Sequence, residues 1–231
     1  QYLLRITRAY SSTSTEALQI LAGIPPIELT LEKETKTTKL LRLDKNINIQ
    51  GTLYDTSRVE KVPKKWLNHP TRKNANQNIF EKVNNKAEMQ IFTDGSKMDD
   101  RVGCAFVAYK NETEIYNEEH RLSDMATVYQ AELYAIKKSL DWMDKNKYRS
   151  AQINSDSRAA IQTLRQTNTK TELAHNTKIQ LLNTQKHINI KWVKAHVGTT
   201  GNETADELAK QALELDQNTE SNIKIPKATI K

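Results

Sequence analysis

The stretch that decides the fold is TVYQAELYAIKKSLDWMDK, residues 127–145. On a helix, with about 100° per residue, Val128, Ala131, Ala135, Ile136, Trp142 and Met143 fall within about 140° of one another. Lys137, Lys138 and Asp141 lie on the opposite side. This pattern predicts an amphipathic helix packed against a core. Glu132 points into the middle of the apolar face. A carboxylate there is costly unless it is paired or bound to a cation, which makes Glu132 the first candidate functional residue.

On either side of this helix the pattern changes to strands. Met89–Thr93 and Val102–Tyr109 are short and apolar and read as a hairpin, and Glu114–Arg121 reads as a third strand. Ala151–Ser155 reads as a strand, Ser157–Arg165 and Leu173–His187 as helices, Ile188–Val193 as a fifth strand and Gly201–Leu213 as a final helix. Three strands followed by strands alternating with helices predict an α/β fold, a five-stranded mixed sheet flanked by helices.

The first third reads as a helical appendage. Thr13-Ser14-Thr15-Glu16 has capping-box spacing, Gly23 sits where a helix ends, and Pro26 can open the next helix, with Leu40, Leu41 and Leu43 further along. From about Asp44 the pattern weakens, and Pro63, Pro70 and recurrent Asn mark a linker. The expected organisation is a basic, mostly helical segment 1–67, a linker 68–86 in which Ile79-Phe80 can dock on a neighbour, a domain 87–214, and a frayed polar tail 215–231.

The chain of 231 residues carries one cysteine, Cys104, which excludes an intramolecular disulfide and a cysteine-based zinc site. It has no apolar run near 18 residues and no leader pattern, so neither a membrane span nor a secretory signal is expected. It begins at Gln1, which suits a fragment of something longer. Residues 1–86 hold 15 Lys and Arg against 8 Asp and Glu, whereas residues 87–231 hold 20 against 20. The whole excess of +7 thus sits in the first third, where it suits a polyanionic partner.

Three further carboxylates join Glu132. Asp94 ends the strand Met89–Thr93, Asp156 ends the strand Ala151–Ser155, and Asp206 flanks the small apolar face Ala205, Ala209 and Leu213 of the last helix. Placing the first and fourth strands side by side brings Asp94 and Asp156 near one edge. Carboxylates gathered at one spot repel one another unless a cation lies among them. Oxygen-only ligands suit magnesium or manganese, and two such ions can clamp the oxygens of a phosphodiester. His196, in a loop with two glycines before the last helix, can shuttle protons beside such a site.

These residues resemble the motifs of type 1 ribonuclease H. Thr93-Asp94-Gly95-Ser96, Gln130-Ala131-Glu132-Leu133, Asn154-Ser155-Asp156-Ser157, and Trp192–His196 continuing through Gly201–Ala209 match its four motifs in order, over about residues 88–213. The resemblance implies that Asp94, Glu132, Asp156 and Asp206 bind two Mg2+ ions, for which Mn2+ can substitute. It implies that His196 assists turnover and that Gly95, Ser96, Thr127 and Asn202 contact substrate. The implied activity is hydrolysis of the RNA strand of an RNA–DNA hybrid, leaving a 5′-phosphate and a 3′-hydroxyl. The alternative is a catalytically idle nucleic-acid-binding module on the same fold. Val128 and Tyr129 stand where some members carry asparagines, and no basic, Trp-containing insertion lies between Asp156 and His196. Grip on the substrate is then expected from the basic first third.

Arg8-Ala9-Tyr10, Thr13–Leu18 and Leu21–Leu29 resemble the segment joining reverse transcriptase to ribonuclease H in retrotransposons that lack long terminal repeats. That implies a piece of a retroelement polyprotein, with a reverse transcriptase domain as partner, an RNA–DNA hybrid as substrate, and an intracellular site in cytoplasm or nucleus. Lys97-Met98-Asp99-Asp100 has the look of a polymerase metal motif, but it falls in the hairpin after Asp94 and no other polymerase motif accompanies it.

Overall fold

The computed structural model describes residues 1–49, 51–60, 79–80, 87–166, 169–195, 200–216 and 223–230. The chain divides into two compact units, residues 1–59 with 230–231, and residues 60–229.

The first unit holds helices α1 (Tyr2–Thr7), α2 (Thr15–Ala22) and α3 (Ile27–Leu41) and a hairpin of β1 (Ile47–Ile49) and β2 (Thr52–Tyr54). Ser14, rather than Thr13, caps α2 by accepting from the Ala17 amide, and Gly23 closes it in the left-handed conformation at φ 64°. The hairpin departs from the mostly helical expectation for 1–67. Its cause is local: Asn48 Oδ1 accepts from the Gly51 amide at 2.9 Å, and Gly51 supplies a φ of 86°. Leu40, Ile47 and Val59 form this unit's own small core.

The second unit is built on β3 (Met89–Met98), β4 (Arg101–Lys110), β5 (Thr113–Leu122), β6 (Ser150–Ser155) and β7 (His187–Trp192), in the order β5-β4-β3-β6-β7. The first three strands form an antiparallel meander, and β6 and β7 run parallel to β3. Helix α4 (Val128–Lys145) follows β5, α5 (Arg158–Arg165) and α6 (Glu172–Asn183) connect β6 to β7, and α7 (Thr200–Gln211) comes last. The mixed sheet flanked by helices matches the expected fold class. The hairpin turns fall on Asp99-Asp100 and Asn111-Glu112, all with positive φ, so the Lys97–Asp100 run is turn chemistry.

The helices take opposite faces of the sheet, and glycines mark the closest approaches. A Cβ on Gly95 would lie 2.5 Å from the Glu132 backbone nitrogen in α4. A Cβ on Gly103 would lie 2.8 Å from the Ala209 carbonyl in α7, and one on Gly201 would lie 2.3 Å from the Phe92 ring. Because Gly103 pairs with Ser96, the residue after Gly95, the two glycines point to opposite faces. The main core lies under α4 and includes Met89, Ile91, Phe106, Leu133, Ile136 and Ile153.

The docking expected of Ile79-Phe80 is present, whereas the tail departs from the sequence reading. Of the expected linker 68–86, only Ile79 and Phe80 are described. They pack against the main core, and the Arg165 guanidinium donates to the Phe80 carbonyl; the remainder lies outside the described residues. The expected frayed tail 215–231 is docked over residues 223–229: Ile225 is buried, Gln130 Nε2 donates to the Lys224 carbonyl, and Lys224 pairs with Glu172. Its polar composition hid alternating isoleucines that find seats in the fold. Among the described residues no helix is long and apolar enough to cross a membrane.

Candidate active site

Asp94 does not end its strand. β3 continues to Met98, and Asp94 pairs with Ala105 in mid-strand. What ends there is the parallel pairing with β6, whose last partners are Thr93 and Ser155. Asp156 follows at once, where the chain leaves the sheet for α5. Gly95 is therefore no turn residue; it lets the backbone of α4 close on β3, and that closeness sets Glu132 beside Asp94.

The three carboxylates offer oxygens that all lie within 4.8 Å of one another. Asp94 and Glu132 are each 7% exposed. Glu132 Oε2 has no hydrogen-bond partner among the described residues. Burial, then the Asp156 and Asp206 charges, push the Asp94 carboxyl up to about 7, against the Gly95 amide and Lys210, which pull it down. Burial, then Asp94 and Asp156, push Glu132 well above the ordinary carboxylate range. A crowded all-carboxylate set, with Asp94 and Glu132 buried and Glu132 Oε2 unpartnered among the described residues, fits a hard divalent cation.

Asp206 stands outside that trio. It projects from α7, and Lys210 Nζ, one turn on, pairs with it at 2.7 Å. Its charge still counts among the causes that raise Asp94. The spacing of four between Asp206 and Lys210 was readable as a helical ion pair. His196 lies outside the described residues.

The substrate-contact candidates fall on β3, at the start of α4 and on α7. Gly95 and Ser96 are half-buried on β3. Thr127 caps α4: its hydroxyl accepts from the Gln130 amide, and Gln130 Oε1 accepts from the Thr127 amide, both at 3.2 Å. Lys97 Nζ braces the preceding loop through the Asp124 and Ala126 carbonyls. Asn202 is 3% exposed in the first turn of α7, and its Oδ1 has no partner among the described residues.

Two contacts beside Asp156 were not read from the sequence. Trp192 Nε1 donates to the Asp156 carbonyl at 3.0 Å, and the Arg158 guanidinium lies 4.2 Å from the centre of the Trp192 ring. Asp156 and Trp192 are 36 residues apart, so no local pattern announces the contact.

A family model described as RNase H matches residues 84–214, more than half of the chain. Among solved structures, the chain is similar to the N-terminal RNase H domain of a Mycobacterium tuberculosis protein, solved as a fusion with maltose-binding protein. The identity is 23% and the TM-score 0.46, over 55% of this chain and 94% of that one. No curated protein matches the chain.

Proposed function

The chain belongs to the RNase H family, and from that premise we propose that it is an endonuclease hydrolysing the RNA strand of RNA–DNA hybrids. The observation that carries the reading is the trio Asp94, Glu132 and Asp156, whose carboxylate oxygens lie within 4.8 Å of one another. Binding of nucleic acid alone would not place three acids where phosphates must come.

In this reading the trio, with Asp206 from α7, holds two divalent cations, magnesium or manganese. Such ions, when bound, lower the pKa of the attacking water and stabilise the leaving 3′-oxygen. The protein's own part is to orient and to exclude. β3 carries Asp94, Asp156 follows the end of the adjacent β6, and the Gly95 contact sets Glu132 close to both. Trp192 anchors the Asp156 peptide. Gly95, Ser96 and Thr127, which the motif resemblance marks as substrate contacts, meet the backbone of the hybrid. Asn202 is buried, so it presents itself least. His196 receives and returns protons near the leaving group. The products carry a 5′-phosphate and a 3′-hydroxyl.

The test is incubation of the protein with end-labelled RNA–DNA hybrid, duplex RNA and duplex DNA, with magnesium and with chelator. Cleavage confined to the RNA of the hybrid, abolished by chelator and restored by manganese, is expected. Hybrid bound tightly but left uncut in both metals would leave an idle module on this fold. We further infer descent from a retroelement polyprotein, supported by the motifs at Arg8–Tyr10 and Leu21–Leu29. A reverse transcriptase reading frame directly upstream in the source genome is the expected finding, and an unrelated upstream gene would refute it.

A further inference from the structure

Residues 223–229 lie beyond the stretch that the family model matches, yet they are tied to the nuclease unit at several points. Ile223 packs against the small cluster that contains Val102, Leu122 and Ala126. The Lys224 carbonyl accepts from Gln130 Nε2 at 3.0 Å, and Lys224 Nζ meets both Glu172 oxygens at 2.8 and 2.9 Å. The Ile225 carbonyl accepts from the Glu60 amide at 2.9 Å. Thr229 Oγ1 donates to the Met125 carbonyl at 3.2 Å. Two of these ties, at Met125 and Gln130, bracket Thr127.

We propose that residues 223–229 form a positioning strap, which holds the turn Met125–Gln130 so that Thr127 meets the backbone of the hybrid. The proposal rests on the reading of Thr127 as a substrate contact. Gln130 is the link. It is 1% exposed, its Oε1 holds the Thr127 amide, and its Nε2 is taken up by the strap. Without Lys224's carbonyl that buried amide nitrogen loses its acceptor. A buried unsatisfied donor is costly, so the carboxamide turns toward water and releases the Thr127 amide with it. The rest of α4 is held independently, through Leu133, Ile136, Leu140 and Met143 in the main core and through the Gly95 approach at Glu132. Loss of the strap therefore disturbs the grip on substrate and spares the acids.

The test compares the full chain with truncation after Asp216 and, in case that variant fails to fold, with the double substitution Lys224→Met/Thr229→Val. Three quantities are read: steady-state cleavage of hybrid, Mn2+ affinity by calorimetry, and hydrogen exchange of the amides at 127–131. Releasing the strap should raise KM for hybrid about fivefold, the equivalent of about one hydrogen bond. kcat should stay within about twofold and Mn2+ affinity should be unchanged, because the acids do not move. Exchange at 127–131 should quicken, and Thr229→Ser, which keeps the hydroxyl, should behave as the parent. Unchanged exchange, or quickened exchange with unchanged KM, would overturn the proposal, as would a fall in kcat with loss of Mn2+ affinity. A parent chain that does not cut hybrid sinks the proposed activity instead, and exchange then decides alone whether the strap holds the turn.

Discussion

Asp94 carries the most information of any single residue. Its carboxyl titrates near 7 when folded, far above its unfolded value of about 3.8. A carboxyl raised in this way stabilises the fold fully below the unfolded pKa, and that contribution disappears as pH rises through the folded pKa. Metal-free protein should therefore lose stability between about pH 4 and pH 7, by at most about 4 kcal/mol from this group. Asp94→Asn should flatten that profile, leaving the part due to Glu132, and should abolish cleavage. Thermal melts across pH in chelator, with a cleavage assay at saturating magnesium, check both; undiminished cleavage would remove Asp94 from the site. His196→Ala should slow cleavage on the order of a hundredfold without abolishing it, since a proton shuttle contributes about that much. A rate equal to the parent's across pH would refute the shuttle.

At the scale of elements, one approach governs the site: α4 against β3 at Gly95. The atom that a methyl group would strike is the Glu132 backbone nitrogen, which belongs to a helix with ten buried residues and has little freedom to yield. Gly95→Ala should thus shift α4 outward and cost about 1–3 kcal/mol, the usual range for overpacking. It should also weaken Mn2+ binding, because Glu132 moves with the helix. Calorimetry with chemical denaturation tests the pair of effects; a stable variant with parental Mn2+ affinity would show that the approach is incidental. The capping box at Thr127 was readable from Thr127 and Gln130 alone, as a helix start. The second use of Gln130, as the seat of residues 223–229, was not, because its partner lies 94 residues away.

For the whole molecule, the compact unit that holds the RNase H sheet begins at Glu60, ahead of the family match, which begins at residue 84. Glu60 Oε1 accepts from the Leu173 amide at 3.1 Å, at the start of α6. Deleting residues 1–59 should therefore leave a folded RNase H domain, whereas deleting 1–86 also removes Glu60, Ile79 and Phe80 and should lower thermal stability. The positive charge is placed unevenly as well. Residues 1–59 hold 8 Lys and Arg against 6 Asp and Glu, while residues 61–78 hold 5 and no acid. Deletion of 1–59 should then leave the salt dependence of hybrid binding almost intact. Changing Lys61, Lys64, Lys65, Arg72 and Lys73 to Gln should flatten it by about 0.9 in slope for each phosphate that is no longer neutralised. Titrations of both variants across salt decide this, and equal slopes in all three proteins would show that the basic run does not touch the hybrid.

Much of this protein is determined by patterns within a few residues of one another. Apolar periodicity marks α4 and the five strands, and side-chain caps mark helix starts. The same periodicity singles out Glu132, an acid amid apolar residues, whereas Asp94 and Asp156 stand out only together and through their motif neighbours. Packing across the sheet decided the rest. Asp94 lies in mid-strand because β4 continues to pair after β6 has left. Asp206 comes to the neighbourhood of Asp94 from α7, where Lys210 holds its carboxylate. Residues 223–229 are held in place because Gln130, Glu172 and Met125 wait for them. Such partners are joined only by packing and hydrogen bonds made after the chain has collapsed, so no local sequence pattern encodes them.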